Sequence, residues 1–326
     1  MNIIDVAKTA GVSVATVSRV INNSNRVSQK TRELVLEAIK ETGYRSGEIS
    51  EPSSDRNPRL ILVLITSVNN THYSKIIKGI ENIAIKRGYF VVVANCYDNV
   101  GYEEAYLPLL TKKMVDGIIL AGASFVTSDI VSISKKFPLI QCGEYLTDNV
   151  PFVGIDNEKA AYEIVNMMIQ SGKRHIALLS VGNLKPSTVS RLKGYLRALR
   201  ENNLPFDREL VFYSTYGFRS ALAVTEPFLI QNPHVDGIFA ICDRMAAGAI
   251  RAVKNIGKSV PDDIAVGGVD NVEVAYTVEP GLTTVSQNQE QMGRIAAEML
   301  IDLINKKPLE SNHVIIPYEL VKRESI

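Results

Sequence analysis

The chain has 326 residues, of which 46% are hydrophobic and 22% are charged; this is an ordinary balance for a soluble globular protein, and the length predicts two or three domains. A net charge of +1 excludes an overall basic nucleic-acid binder, so any such surface must be local. Three widely separated cysteines, apolar runs as short as "LILVLI" and an N-terminus without a signal-peptide pattern predict a cytoplasmic protein with no membrane span and no disulfide framework.

Three short helices are predicted in the first 46 residues. Each follows a side chain that can cap it, namely Asn2, Ser13 and Ser28. Apolar residues then recur at helical spacing and are expected to face inward: Val6, Ala7, Ala10, Val17, Val20, Ile21, Leu34, Val35, Ala38 and Ile39. Two short helices joined by a tight turn at Gly11 form a helix-turn-helix.

The outward face of the second helix carries small residues and one arginine. A helix in the major groove needs small side chains to approach the bases, so Val14 and Ala15 can touch thymine methyl groups while Arg19 reaches guanine O6 and N7. Hydroxyl and amide groups nearby can contact phosphates. The predicted DNA-binding residues are Ser13, Val14, Ala15, Ser18, Arg19, Asn22, Asn25, Ser28 and Thr31. The alternative is a helical hairpin in which Arg19 is simply solvated.

From residue 60 onward, apolar strands alternate with helical segments. Runs such as "LILVLIT" and "DGIILAG" are typical of parallel strands covered on both faces. Repeated strand–helix units predict right-handed crossovers and doubly wound parallel sheets, and "VPFVGIDNEKAAYEIV" resembles a second start. We therefore expect a helical headpiece at 1–46, a linker at 47–59 and a two-lobed α/β core at 60–326. The first lobe is predicted at 60–156 and 288–312, and the second at 157–287 and 313–326.

The stretch from "IIDVAKTAGVSVATVSRVINN" to "ETGYR" closely resembles the DNA-binding headpiece of the lactose-repressor (LacI/GalR) family of bacterial transcription regulators. The resemblance continues through "GKRHIALLSV", "DGIFAICDRMAAGAI" and "PGLTTVSQNQEQMGRIAAEML". It implies a periplasmic-binding-protein-like core and a homodimer, or dimer of dimers, on double-stranded operator DNA. The expected function is a sequence-specific regulator, a repressor, whose operator affinity is controlled by a small sugar-like effector.

The linker departs from the family pattern. Family members usually carry a hinge helix after the headpiece, with a leucine that wedges into the minor groove. Here Ser53 stands where that leucine is expected, Pro52 precedes it, and Gly47 lowers helix propensity, which leaves Ile49 as the apolar candidate. We expect residues 48–59 to be largely disordered without DNA and to form at most one helical turn on it.

The effector pocket is predicted at the carboxyl ends of the strands, where ligands bind in such folds. The candidates are His72, Tyr73, Glu144, Lys185, Ser187, Arg191, Tyr216, Asp243 and Asp270. The resemblance implies that Tyr73 stacks on the effector, that Arg191 and Asp270 bind hydroxyl groups and that Tyr216 forms an aromatic floor. Glu144 occupies a position where the family often has arginine or another polar residue.

This set of side chains suits a saccharide or nucleoside, and the pair of Lys185 and Arg191 favours a sugar acid or sugar phosphate. Three of the candidates have simpler interpretations. His72 could be a surface histidine, Tyr216 could be a core residue, and Asp270 could cap the next helix.

Two other classes of protein fit the sequence less well. An enzyme is disfavoured because the motifs GxGxxG, GxxxxGK[ST], HExxH and GxSxG do not occur, and four scattered histidines predict no metal site and no cofactor. A free solute-binding protein would share the two-lobed core, but it would need an export signal and would have no use for the first 45 residues.

Overall fold

The computed structural model describes residues 3–21, 27–42, 58–122, 127–182 and 185–326, with only the backbone described at 3, 4, 21 and 127–129. The chain divides into two units, an N-terminal unit of residues 1–56 and a core of residues 57–326. The predicted boundary between residues 46 and 47 lies outside the described residues, and so do residues 47–57 of the predicted linker. That boundary and the behaviour of the linker therefore stay predictions.

The N-terminal unit contains helices α1 (Ile3–Thr9), α2 (Val14–Ile21) and α3 (Gln29–Thr42). Ser13 and Ser28 start the second and third helices, since their Oγ atoms accept hydrogen bonds from the N–H groups of Thr16 and Thr31, each at 3.2 Å. A small core forms where the three helices meet, from Val6, Ala7, Val17, Val20, Val35 and Ala38.

The predicted stripe of the third helix is wrong at one position. Leu34 is 47% exposed, whereas Val35 and Ala38 are buried. Neighbouring helical residues point about 100° apart, so the face that buries Val35 turns Leu34 outward. The capping role of Asn2 and the side chain of Ile21 lie outside the described residues.

The core consists of two sheets covered by helices. Its strands are β1 (Leu60–Ile65), β2 (Phe90–Asn95), β3 (Gly117–Ala121), β4 (Leu139–Cys142), β5 (Phe152–Gly154), β6 (Ile176–Val181), β7 (Val211–Ser214), β8 (Gly237–Ala240), β9 (Ala265–Asp270), β10 (Thr283–Ser286), β11 (His313–Ile315) and β12 (Glu319–Val321). Its helices are α4 (Thr71–Lys86), α5 (Val100–Thr111), α6 (Thr127–Ser134), α7 (Asn157–Gln170), α8 (Pro186–Glu201), α9 (Phe218–Gln231), α10 (Asp243–Asn255), α11 (Val274–Thr277) and α12 (Gln289–Ile304), with a short 3-10 turn at Arg208–Leu210.

Each lobe is built on one six-stranded sheet, as the alternation of strands and helices predicts. The first sheet has the order β11-β5-β4-β3-β1-β2 and is parallel throughout. The second has the order β12-β10-β9-β8-β6-β7 and is parallel except at the edge pair β12 and β10. Central strands such as β3 and β8 are buried along their whole length because helices cover both faces.

The chain crosses between the lobes three times, after β5, after β10 and after β11. The third crossing lies later than the sequence predicted. His313–Ile315 pairs with Phe152–Gly154 in the first sheet, although residues 313–326 were assigned to the second lobe. The second sheet receives the chain again only at β12.

Glycines allow several helix pairs to pack closely. An added Cβ at Gly293 of α12 would lie 2.1 Å from the carbonyl oxygen of Ile76 in α4, and one at Gly79 would lie 2.1 Å from that of Glu290. Gly194 gives the same close approach between α8 and α7. Within the described residues, no helix is both long enough and apolar enough to cross a membrane.

Candidate functional sites

The outward face of α2 is the candidate interface of the N-terminal unit. Val14, Ala15 and Arg19 are exposed and Ser18 is half-buried, while Val17 and Val20 face the core. The hydroxyl groups of Ser13 and Ser28 cap their own helices and pair with Thr16 and Thr31 at 2.9 and 2.8 Å. The predicted contact residues Asn22 and Asn25 lie outside the described residues.

The core contains a cavity of about 290 Å³ between its two lobes, at the carboxyl ends of the strands. Eight of the nine candidate residues line it: His72, Tyr73, Glu144, Lys185, Ser187, Arg191, Tyr216 and Asp270. The simpler interpretations of two of them are wrong. Tyr216 is 46% exposed and is no core residue, and the His72 side chain is only 12% exposed, so it is no surface histidine.

Asp270 ends strand β9 with a positive φ of 125°. Its Oδ1 accepts a hydrogen bond from Nε2 of Gln287 at 2.5 Å and lies 3.5 Å from Nδ1 of His72. Asp270 does not cap the following helix, because α11 begins at Val274 after Glu273 as its N-cap residue. Burial lowers the pKa of His72 below its usual 6.5, opposed by the nearby Asp270 charge and reinforced by Arg191 and Lys75. His72 is therefore a neutral hydrogen-bonding group at neutral pH.

Tyr73 places an aromatic ring in the wall of the first lobe. Its hydroxyl accepts a hydrogen bond from Thr66 at 2.8 Å, and its ring stands edge-on to that of His72 at 5.2 Å. Burial raises the pKa of the Tyr73 phenol. A side chain at Gly122 would collide with the Tyr73 hydroxyl, and Gly122 also has a φ of +82°.

Arg191 is held in the wall of the second lobe by two other parts of the chain. Its Nε donates to Oδ1 of Asn157 at 2.9 Å, and one terminal nitrogen donates to the carbonyl of Ile241 at 2.5 Å. These bonds hold the guanidinium plane at the cavity surface, which is the arrangement that a planar hydrogen-bond donor needs to bind hydroxyl groups.

Polar contacts join the two lobes around the cavity. Glu144 of the first lobe accepts hydrogen bonds from Ser187 of the second. Lys185 of the second lobe contacts Asp98 and the carbonyl of Gly122 in the first. Two further hydrogen bonds join the lobes: Lys75 donates to the carbonyl of Asn271 and Arg244 to that of Asn69, each at 2.7 Å.

Asp243 does not line the cavity, contrary to the prediction. Its side chain is 0% exposed, and its oxygens accept hydrogen bonds from the N–H of Val272 at 2.9 Å and the hydroxyl of Thr284 at 2.5 Å. Burial and the neighbouring Asp270 charge raise its pKa well above the usual value. Asp243 starts α10 after strand β8, but its side chain turns away from the cavity and fixes the segment after Asp270.

Six further polar or aromatic residues line the cavity and were not predicted: Thr66, Ser67, Tyr97, Asp98, Arg244 and Gln287. Asp98 follows strand β2, whose apolar sequence "FVVVAN" is a recognisable strand pattern, so its place after a strand end was a usable signal. Gln287 follows "TTVS", which lacks the apolar run by which the other strands were found. Among the described residues, no group of three or more histidine, cysteine or acidic side chains could hold a metal ion, and Cys96, Cys142 and Cys242 are buried free thiols.

A small helical unit with an exposed helix-turn-helix face, joined to a two-lobed core with a polar cavity, defines a ligand-responsive regulator of transcription. Family comparison agrees in both parts. Residues 2–46 match the profile of "Bacterial regulatory proteins, lacI family", and residues 165–326 match that of "Periplasmic binding protein-like domain".

Similar proteins span the whole chain. The HTH-type transcriptional regulator RegA of Clostridium saccharobutylicum is 34% identical, covering 98% of each chain. A CelR–cellobiose complex is 31% identical with a TM-score of 0.76, covering 100% of this chain and 99% of the other. A lac repressor dimer bound to operator and the anti-inducer ONPF is 26% identical with a TM-score of 0.75, covering 100% and 98%. The chain belongs to the lacI family of bacterial regulatory proteins, and it is a transcriptional regulator, not an enzyme.

Proposed function

We propose that the chain represses transcription by binding a pseudo-palindromic operator as a homodimer, and that a small sugar-like effector in the cavity controls its operator affinity. The observation that carries the proposal is the cavity between the lobes, which is lined by the buried carboxylate of Asp270, the guanidinium of Arg191 and the ring of Tyr73. Since the operator is chromosomal, we also propose that the protein acts in the cytoplasm.

The chemistry of the cavity supports a polyhydroxy effector. The carboxylate of Asp270 can accept hydrogen bonds from hydroxyl groups, and the guanidinium of Arg191 can donate hydrogen bonds to them. Tyr73 and Tyr216 offer aromatic ring faces to the C–H surface of a sugar. The CelR relative with bound cellobiose supports the same class. Asp270 is proposed as the main hydroxyl acceptor, with His72 as its neutral neighbour.

The exposed face of α2 supports operator binding. Arg19 stands clear of the helical core beside the small side chains of Val14 and Ala15, so the helix can approach base edges closely. The lac repressor–operator relative supports the same mode of binding. Asn22 and Asn25 remain part of the proposal on sequence grounds.

The substitution Arg19→Ala is expected to weaken binding to the cognate operator by roughly 1–3 kcal/mol, because a bidentate contact to guanine is lost at each half-site. Fluorescence anisotropy with operator and random DNA at fixed salt measures the effect. Arg19→Lys should keep the affinity for random DNA and still lose the preference for the operator bases. Lys40→Ala is the control and should leave the preference for the operator over random DNA unchanged. An equal loss on operator and random DNA would show that Arg19 serves only phosphates.

The edge strand β2 supports the homodimer. Phe90 is 69% exposed, and Val92 and Val93 are also exposed on this strand, which ends the first sheet. An uncovered apolar edge favours pairing with another chain, and one recognition helix reads too few base pairs for specific binding alone. We propose a second copy as the occupant, in keeping with the dimeric lac repressor relative.

Light scattering at micromolar concentration is expected to give at least twice the mass of one chain. Phe90→Lys should shift the protein toward monomer and weaken operator binding with it, because a charge must then be buried in the interface. Ile230→Lys, a change at an exposed apolar residue of the second lobe, is the control and should leave the mass unchanged. A wild-type monomer with full operator affinity contradicts the proposal.

A further inference from the structure

Two carboxylates of the first lobe bind residues at the N-terminal end of helix α8 in the second lobe. Glu144 accepts from the backbone N–H of Ser187 at 3.0 Å and from its hydroxyl at 2.6 Å. Asp98 lies 2.6 Å from Nζ of Lys185, the residue before the helix. Both acids line the cavity.

Glu144 performs the capping that α8 lacks from its own sequence. Lys185 at the N-cap position makes no side-chain capping bond, and Pro186 has no N–H to donate. The N–H of Ser187 is therefore the first donor of a 16-residue helix whose N-terminus carries a partial positive charge. A helix start beside a lysine would ordinarily favour a phosphate or carboxylate ligand, but here a carboxylate of the protein already occupies it.

The other positive groups of the cavity also make hydrogen bonds within the protein. Lys185 is 5% exposed and also donates to the carbonyl of Gly122 at 2.9 Å. Arg191 and Arg244 each donate to a backbone carbonyl. Among the described residues, the lining contains three acids, Asp98, Glu144 and Asp270, against these three cations. Of the pair that favoured an acidic sugar in the sequence, Lys185 is paired with Asp98 and Arg191 donates to neutral oxygens, so the charge of Arg191 is balanced only by the acids across the cavity.

We infer that Glu144, together with Asp98, makes the cavity select uncharged polyhydroxy effectors and exclude phosphorylated and acidic ones. The inference rests on the proposed effector-binding function and specifies its ligand class. An anionic substituent near α8 would have to displace Glu144 from the helix start and would be repelled by the carboxylates that remain. A neutral hydroxyl group meets no such repulsion and can donate to either acid.

Inorganic phosphate tests this role of Glu144 without knowledge of the effector. Calorimetry and thermal denaturation of the full chain, at constant ionic strength against chloride, should show no saturable phosphate binding to the wild type. Glu144→Gln keeps an acceptor for Ser187 and removes the charge, so it should raise phosphate affinity by about 10- to 100-fold, the effect of one unit charge at close range. Asp98→Asn should act in the same direction, and the double variant should bind most tightly.

The control is Glu209→Gln, which removes an acid from an exposed position of the second lobe outside the cavity and should bind no more phosphate than the wild type. Phosphate binding to the wild type as tight as to Glu144→Gln overturns the inference. So does a Glu144→Gln variant that melts like the wild type in chloride and gains no phosphate affinity.

Matched pairs of sugars then test selection itself. The panel contains glucose with glucose 6-phosphate and gluconate, and ribose with ribose 5-phosphate. Wherever a sugar binds, the wild type should prefer the neutral member at least about tenfold, and Glu144→Gln should narrow that ratio. A tighter affinity for the charged member overturns the inference. If no sugar of any charge binds, the proposed effector class is wrong, and the phosphate measurement alone decides the role of Glu144.

Discussion

Replacing Asp243 by alanine is expected to lower the free energy of unfolding of the core by roughly 2–5 kcal/mol, because two buried donors lose their acceptor at once. The N–H of Val272 and the hydroxyl of Thr284 both donate to this carboxyl group, whose side chain is fully buried. Urea denaturation followed by circular dichroism measures the loss. Asp243→Asn is the matched control and should lose much less, since its amide oxygen can accept from Val272 and its nitrogen can donate to Thr284.

The same pair of proteins gives a pH dependence of known sign. Burial and Asp270 raise the pKa of Asp243 in the folded core, so the folded state binds this proton more tightly than the unfolded state. The stability that it contributes is present at low pH and is lost as pH rises through the raised pKa. Between the pKa of Asp243 in the unfolded state and its raised pKa in the folded state, the free energy of unfolding of the wild type should therefore fall relative to that of Asp243→Asn. A difference that is constant with pH would contradict the raised pKa.

Replacing Gly293 by valine is expected to destabilise the core by about 3 kcal/mol, through overpacking between α12 and α4. The new Cβ would lie 2.1 Å from a backbone carbonyl of α4, which cannot move aside as a side chain could. Thermal and urea denaturation measure the loss. Glu298→Val places the same β-branched residue at an exposed position of α12, and it should cost well under 1 kcal/mol. Equal losses in the two variants would assign the effect to helix propensity instead of packing.

Periodicity in the sequence predicted the helix-turn-helix unit and the two parallel-sheet lobes, because buried strands such as "LILVLI" and capped helices have local patterns. The short strands β10, β11 and β12 escaped prediction. "TTVS" is half threonine, and His313–Ile315 belongs to a sheet only through its pairing with β5. The position of the last crossing between the lobes depends on such pairing, which residue periodicity does not contain.

The rule that ligands bind at strand ends located most of the cavity, yet it could not tell which side chains turn into it. Asp243 and Asp270 both lie at strand ends; the first is buried behind the wall and the second faces the ligand space. The charge balance of the cavity was harder to predict than its position. Lys185 suggested an anionic ligand from sequence, because its partner Asp98 is distant in the chain and becomes a neighbour only when the lobes meet.

The late return of the chain to both sheets has a consequence for how the lobes are completed. Strands β11 and β12 follow all the other described strands in the chain, and they form an edge of the first and second sheets respectively. Ser325 then joins the second sheet by accepting from the N–H of Thr283 and donating to the carbonyl of Val266. Each lobe therefore depends on the segment from His313 onward, and a polypeptide that ended before His313 would leave both halves of the ligand-binding core without an edge strand.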